Sequence, residues 1–257
     1  VKYLYYVISG KLGLIAFLDV DDEWKARFLE TILRLRDKLP SAGAYLPPMK
    51  RRGLVADKHT KIPVYTEEEI EKGIIPDYFK SYVYDSSPVC SSSLAIPREV
   101  FDDVGYFPGG VNRRGNLDIW TRVALRYPIA YSRYVGATYY KDISGSVVKT
   151  HKVLDGYRVV DTIEAYLREK HSISNKKKHI KEYANKFRLS STSHCIKAGR
   201  IDMAREHLKT ATQEGFSSGS YIYNCLPYQV KGVFEKAIVS MDNLPHVLDC
   251  YEIFTKE

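Results

Sequence analysis

The feature that most constrains this chain is an abrupt change of character near its start. Residues 14–24 read LIAFLDVDDEW, in which five apolar side chains run straight into Asp19, Asp21 and Asp22. An apolar run of that length, bounded by polar residues, predicts a strand buried on both faces. Open α/β sheets bind ligands beyond the carboxyl ends of their strands, so the acidic residues mark where chemistry is to be sought. Two carboxylates that end a buried strand need a cation or hydrogen-bond donors to offset their desolvation. Asp19 and Asp21 are therefore candidate cation ligands. Asp22 and Glu23 have a second reading, as amino-end charges that favour the dipole of the helix after them.

That helix is predicted from Phe28, Leu29, Ile32, Leu33 and Leu35, which recur at three- and four-residue spacing opposite Lys25, Arg27, Glu30, Arg34 and Arg36. Ahead of the acidic run there is room for one strand, residues 3–8, and a turn at Ser9-Gly10. Lys11 interrupts the apolar start and no small-residue cleavage site follows, so neither a signal peptide nor a membrane anchor is expected.

Residues 40–63 read as loop and short strand, carrying the basic cluster Lys50, Arg51, Arg52. Residues 67–73 predict a short acidic helix closed by Gly73, and residues 78–84 have strand composition. The segment SSPVCSSSLAIP, residues 86–97, is small enough to pass close to a bound ligand. Pro97 then starts a helix over residues 98–104, followed by a glycine- and proline-rich loop. From Leu117 a further helix is predicted, with Asn116 as its amino-terminal cap, and residues 129–140 read as a strand pair around Gly136.

At 257 residues the chain is long enough for one large domain or a domain with a helical appendix. Its 44% hydrophobic and 27% charged residues are ordinary for a globular protein, so disorder is not the default expectation. A formal charge of +8 implies attraction to something anionic, whether nucleic acid, phosphate-bearing substrate or acidic membrane surface. No nucleic-acid-binding motif accompanies that charge, so nucleic acid is not an expected partner. Four cysteines without a CxxC pair indicate neither a zinc site nor a disulfide framework, which fits a reduced, cytoplasmic chain.

Beyond residue 140 the pattern turns polar and then helical, giving expected domains of residues 1–145 and 146–257. His151 is a weak candidate for a third metal ligand, against the alternative of a solvent-facing histidine. The run NKKKHIK, residues 175–181, reads either as a peripheral contact with anionic lipid at the inner membrane face or as a solvated helix start. SHCIKAGRIDMAREHLKTA has the helix–turn–helix layout of a tetratricopeptide-like pair and is expected to pack or to bind a partner.

Four blocks in order, FLDVDDEW with its helix, CSSSLAIPREVFDDVGYFPGG, GNLDIWTRVALRYPIAY and ATYY, resemble the family 2 inverting glycosyltransferases over residues 12–140. The resemblance implies an α/β fold of the GT-A (Rossmann-like) type, with a mixed sheet, flanking helices and an all-helical carboxyl-terminal region. It implies a nucleotide-sugar donor, a UDP-sugar foremost, whose diphosphate is held by Asp19 and Asp21 of the DxD motif through a divalent cation, Mn or Mg. The acceptor would be a glycan or a lipid-linked acceptor, as in cell-surface polysaccharide assembly. Asp19, Asp21, Ser91, Ser92 and Trp120 are the candidate substrate-binding residues. Similar proteins commonly read GEDLDLW where this chain has GNLDIW, and the aspartate of their ED pair supplies the general base. Asn116 therefore stands at the base position, and Asp118 is the weak candidate to replace it. Family members also open with strand and helix units that hold the nucleobase and ribose. Their absence here gives the expectation of an incomplete GT-A domain, and hence an alternative function: a truncated, inactive remnant that binds or scaffolds, or has no function.

Overall fold

The structure is a computed structural model that describes residues 3–8, 13–52, 58–59, 65–66, 68, 73–84, 88–107, 115–140, 157–169 and 176–213. The chain divides into two compact units, Val1–His151 with Ser174–His179, and Lys152–Ile173 with Ile180–Glu257. The described part of the first unit is mixed α/β. Its larger sheet has the order β1 (Tyr3–Ile8), β2 (Leu14–Asp19), β7 (Ala95–Pro97), β4 (Ala44–Leu46), β8 (Ile129–Tyr131). Only β4 and β8 run parallel; the other neighbours are antiparallel.

β2 shows why its sequence is apolar throughout. Leu14 and Ala16 pack on one face with Phe28, Ile32 and Leu35 of helix α1 (Phe28–Lys38). Phe17 points the other way, meeting Phe101 at 6.2 Å and Trp120 at 5.5 Å between ring centroids. Alternate side chains of a strand face opposite sides, so a strand between two helical layers has no face left for polar residues. Strands β4, β7 and β8 are likewise buried along their whole length.

The smaller sheet has the order β3 (Glu23–Trp24), β9 (Ala137–Tyr140), β5 (Met49–Arg52), β6 (Lys58–His59). The basic cluster Lys50, Arg51, Arg52 thus lies on a paired strand. Gly136 leads into β9 at a crossing where any side chain would collide: an added Cβ would sit 2.7 Å from the Pro47 side chain and 2.8 Å from Phe28. Its carbonyl accepts from Lys25 N–H and its N–H donates to the Pro48 carbonyl, each at 2.8 Å.

Three sequence expectations are corrected. Residues 78–84 form helix α2 (Tyr78–Tyr84), because the Asp77 carboxylate accepts from the N–H groups of Phe79 and Lys80, a cap that outweighs the strand preference of four aromatic residues. Residues 129–140 do supply two strands, but β8 joins the larger sheet and β9 the smaller, so they are not paired with each other. Helix α1 begins only at Phe28, so Asp22 and Glu23 lie too far ahead of it to act on its dipole, which falls off within the first turn. Helix α3 (Arg98–Val104) forms where expected and ends at Gly105 with φ +83°, whereas α4 (Gly115–Arg126) begins two residues ahead of the expected Leu117. The expected helix over residues 67–73 and the polar linker fall largely outside the described residues.

The described part of the second unit is helical, with α5 (Arg158–Glu169), α6 (Lys176–Lys197) from Ile180 onward, and α7 (Ile201–Gln213). Tyr183 and Phe187 pack edge to face at 4.9 Å, and Tyr157 lies 5.1 Å from Phe187. The expected break at Gly199-Arg200 is built as a glycine-terminated helix end: Gly199 takes φ +71° and Arg200 N–H donates to the Cys195 carbonyl at 2.8 Å. No helix among the described residues is long and apolar enough to cross a membrane.

Candidate functional site

The acidic residues after β2 turn tightly. Asp22 N–H donates to the Asp19 carbonyl at 3.1 Å, leaving Val20 at the tip with 69% of its surface exposed. Below the turn lies a short 3₁₀ segment, Ser91–Ser93, whose three serines are buried. Ser92 joins the two. Its hydroxyl donates to Asp22 Oδ2 at 2.5 Å and accepts from Asp19 N–H at 3.0 Å, while its carbonyl accepts from Trp24 Nε1–H at 2.8 Å. Trp24 is itself held by stacking on Phe28 at 4.5 Å. A larger residue would not fit where Ser92 is only 1% exposed, which gives the run of small residues its local reason.

The second oxygen of Asp22 accepts from Tyr140 N–H at 3.2 Å, so this carboxylate links the acidic turn to β9. Asp22, which the sequence offers equally as a charge ahead of a helix, accepts two hydrogen bonds on its carboxylate, from Ser92 and Tyr140. The signal for it was present in the run of carboxylates, DVDD, but the nearby helix offered a competing role.

Burial pushes the Asp19 carboxyl up to about 6, with help from the charge of Asp21. Burial pushes Asp22 further, to about 7, although its bonds from Ser92 and Tyr140 oppose the rise. Among the described residues, no lysine, arginine or histidine forms an ion pair with Asp19, Asp21 or Asp22. Half-buried carboxylates relieved only by neutral donors are a fitting seat for a hard cation, which prefers such oxygens. No group of three or more histidine, cysteine, aspartate or glutamate residues is placed to hold a metal among the described residues. A cation here would take one or two carboxylates and complete its shell with water and ligand oxygens, the usual arrangement for Mg.

The other sequence candidates are distributed unevenly. Asn116 is brought to the site: its Nδ2 donates to Ser91 Oγ at 2.9 Å, beside Ser92. Its Oδ1 accepts from Leu117 N–H at 3.0 Å within the first turn of α4, whose start at Gly115 puts Asn116 inside the helix rather than at its cap. Asp118 is 2% exposed and its carboxylate accepts from Arg122 Nε at 3.1 Å. Trp120 is 3% exposed and packed against Phe17 and Phe107. His151 lies outside the described residues. Cys90, half-buried and free, sits next to the serines, its thiol pushed up first by burial and then by Asp22.

No protein-family model matches this sequence, and no protein of curated function matches it.

Proposed function

We propose that the first unit binds a nucleotide-diphosphate sugar through a divalent cation at the acidic turn, as a family 2-like inverting glycosyltransferase of GT-A type. The observation that carries the reading is the set of Asp19, Asp21 and Asp22 at the carboxyl end of a buried strand, tied down by Ser92 and held in no ion pair among the described residues. Asp19 and Asp21 would hold the cation. When bound, the cation supplies charge stabilisation for the departing diphosphate. Ser92 fixes both the Asp22 carboxylate and the Asp19 backbone, so the turn is preorganised and needs little rearrangement on binding. A glycan or lipid-linked acceptor would approach the exposed lip of the turn at Val20, on the cytoplasmic side or the inner membrane face.

A second reading has its own support. Asn116 stands at the position from which similar proteins present a carboxylate base, and an amide cannot accept the acceptor's proton. General-base help of about 10²–10⁴-fold would be lost. Asp118 is committed to Arg122 and almost wholly buried, a poor position from which to reach an acceptor hydroxyl. A chain that binds donor and transfers slowly or not at all fits these two residues.

The test is to titrate the purified chain with UDP-sugars in the presence and absence of manganese and follow its melting temperature. Binding to the native state raises apparent stability by about 2.7 kcal/mol at 100 times Kd. A manganese-dependent rise is expected with UDP-sugar. No shift at saturating nucleotide would overturn donor binding, while a shift without sugar release or transfer would select the inactive reading.

A further inference from the structure

We propose that Arg51 is the protein's own cation for the diphosphate, placed on β5 to face the acidic turn from the neighbouring sheet. This inference rests on the donor-binding reading above. It begins with a charge argument. Three carboxylates repel a diphosphate, and one divalent cation cannot neutralise both at close range, so a fixed positive charge near the turn makes binding far more favourable.

The strand register says which residue supplies it. β5 pairs with β9 in parallel register, Lys50 beside Thr138, Arg51 beside Tyr139 and Arg52 beside Tyr140. Side chains of paired residues share a face and successive residues alternate. Arg52 lies 5.7 Å from the centre of the Tyr140 ring, which defines one face. Arg51 and Tyr139 therefore share the other. That face looks toward the site: Trp24 pairs with Ala137, which shares the face of Tyr139, and donates its Nε1–H to the Ser92 carbonyl at 2.8 Å; in keeping with this, the Tyr139 hydroxyl is raised first by burial and then by the charges of Cys90, Asp22, Asp21 and Asp19. The Cys90 thiol feels both Asp22 and Asp19 and, with opposite sign, Arg51. Backbone pairing closes the arrangement, because the residue after Tyr139 donates its N–H to Asp22.

Arg51 is half-buried, whereas Arg52 is exposed. A guanidinium partly out of water, with its fork of donors, suits phosphate oxygens better than a fully solvated one. The sequence offered three adjacent basic residues with nothing to distinguish them; the register selects the middle one.

The experiment uses inorganic pyrophosphate as probe, with manganese, and isothermal calorimetry on the whole chain. Wild-type protein should bind manganese alone, and pyrophosphate in its presence. R51M should keep manganese affinity while weakening pyrophosphate by about ten-fold or more, the loss of a charge-assisted hydrogen bond, and R51K should recover part of it. Equal pyrophosphate affinity in R51M and wild type would overturn the role of Arg51 and leave the donor-binding reading standing. Wild-type protein that binds no pyrophosphate, with or without manganese, would overturn both. An arginine-directed dicarbonyl reagent read by mass spectrometry tests the same point in unmutated protein: manganese pyrophosphate should shield Arg51 more than Arg52, and equal reaction of Arg51 with and without it would also overturn the inference.

Discussion

Two groups of carboxylates in the first unit are treated in opposite ways. On α3 and α4, each of Asp103 and Asp118 is given an arginine: Arg126 Nη1 lies 2.9 Å from Asp103 Oδ1, and Arg122 lies 3.1 Å from Asp118 Oδ2. Arg122 also donates to the carbonyls of Val104 and Tyr106, so it closes the carboxyl end of α3 while neutralising Asp118. Hydrogen bonds from Tyr127 and Arg126 hold the Asp103 carboxyl below the usual carboxylate range. The acidic turn has the reverse arrangement. Asp19 and Asp22 are raised, and the Asp22 carboxylate is met by a serine hydroxyl and the Tyr140 amide. A carboxylate that serves the fold carries its counter-charge with it. One that lacks it costs stability when ionised and is free to meet a cation from outside.

The largest expected effect tests the first group. R122M leaves Asp118 buried without a counter-charge and should cost about 3–5 kcal/mol, measured by urea denaturation. A loss below 1 kcal/mol would mean that Asp118 does not depend on its arginine, and the contrast would fail from that side. Next in size, D19N should reduce metal-dependent donor turnover or hydrolysis roughly 100-fold or more, because the charge that holds the cation is gone. The same variant should leave stability of the metal-free chain unchanged or improved. A marked destabilisation by D19N would place Asp19 with the structural carboxylates instead.

Smaller is the effect of S92A. It removes the bond to Asp22 and the acceptor for Asp19 N–H, and should cost about 1–3 kcal/mol, with weaker manganese-dependent binding measured alongside. The pH dependence is expected to be smaller still. A carboxyl raised in the folded state holds its proton more tightly there than in the unfolded chain, so stability is greatest below the unfolded value of 3.8 and is lost as pH rises through about 6 and 7. The melting temperature of the metal-free chain should therefore contain a component that falls between pH 4 and pH 7. D22N should remove much of it, and manganese should restore stability above pH 7. An unchanged profile in D22N would show that the turn is not the source.

Local pattern carried much of the fold. The apolar run before Asp19, the three- and four-residue spacing of α1, the Pro97 start of α3 and the Gly199 end of α6 are each written in a few adjacent residues, because burial of one face and backbone geometry act over that range. Residues 78–84 have strand composition yet form a helix, because a single capping carboxylate at Asp77 decides between two states that composition leaves close. Pairing was not legible. Nothing near Gly136 says that β8 and β9 part into different sheets, since each is chosen by a partner far back in the chain, β4 for β8 and β5 for β9.

The site divides in the same way. By itself the sequence determined that carboxylates end a buried strand and that a run of small serines is available to pack closely, because an apolar run and small side chains are both local properties. Only the tertiary structure decided that Ser92 binds Asp22, that Asn116 reaches Ser91 while Asp118 turns to Arg122, and that Arg51 shares a face with Tyr139. Those choices depend on register and on which side of a sheet or helix a residue occupies, and a shift of one position along a strand reverses that side without changing the composition.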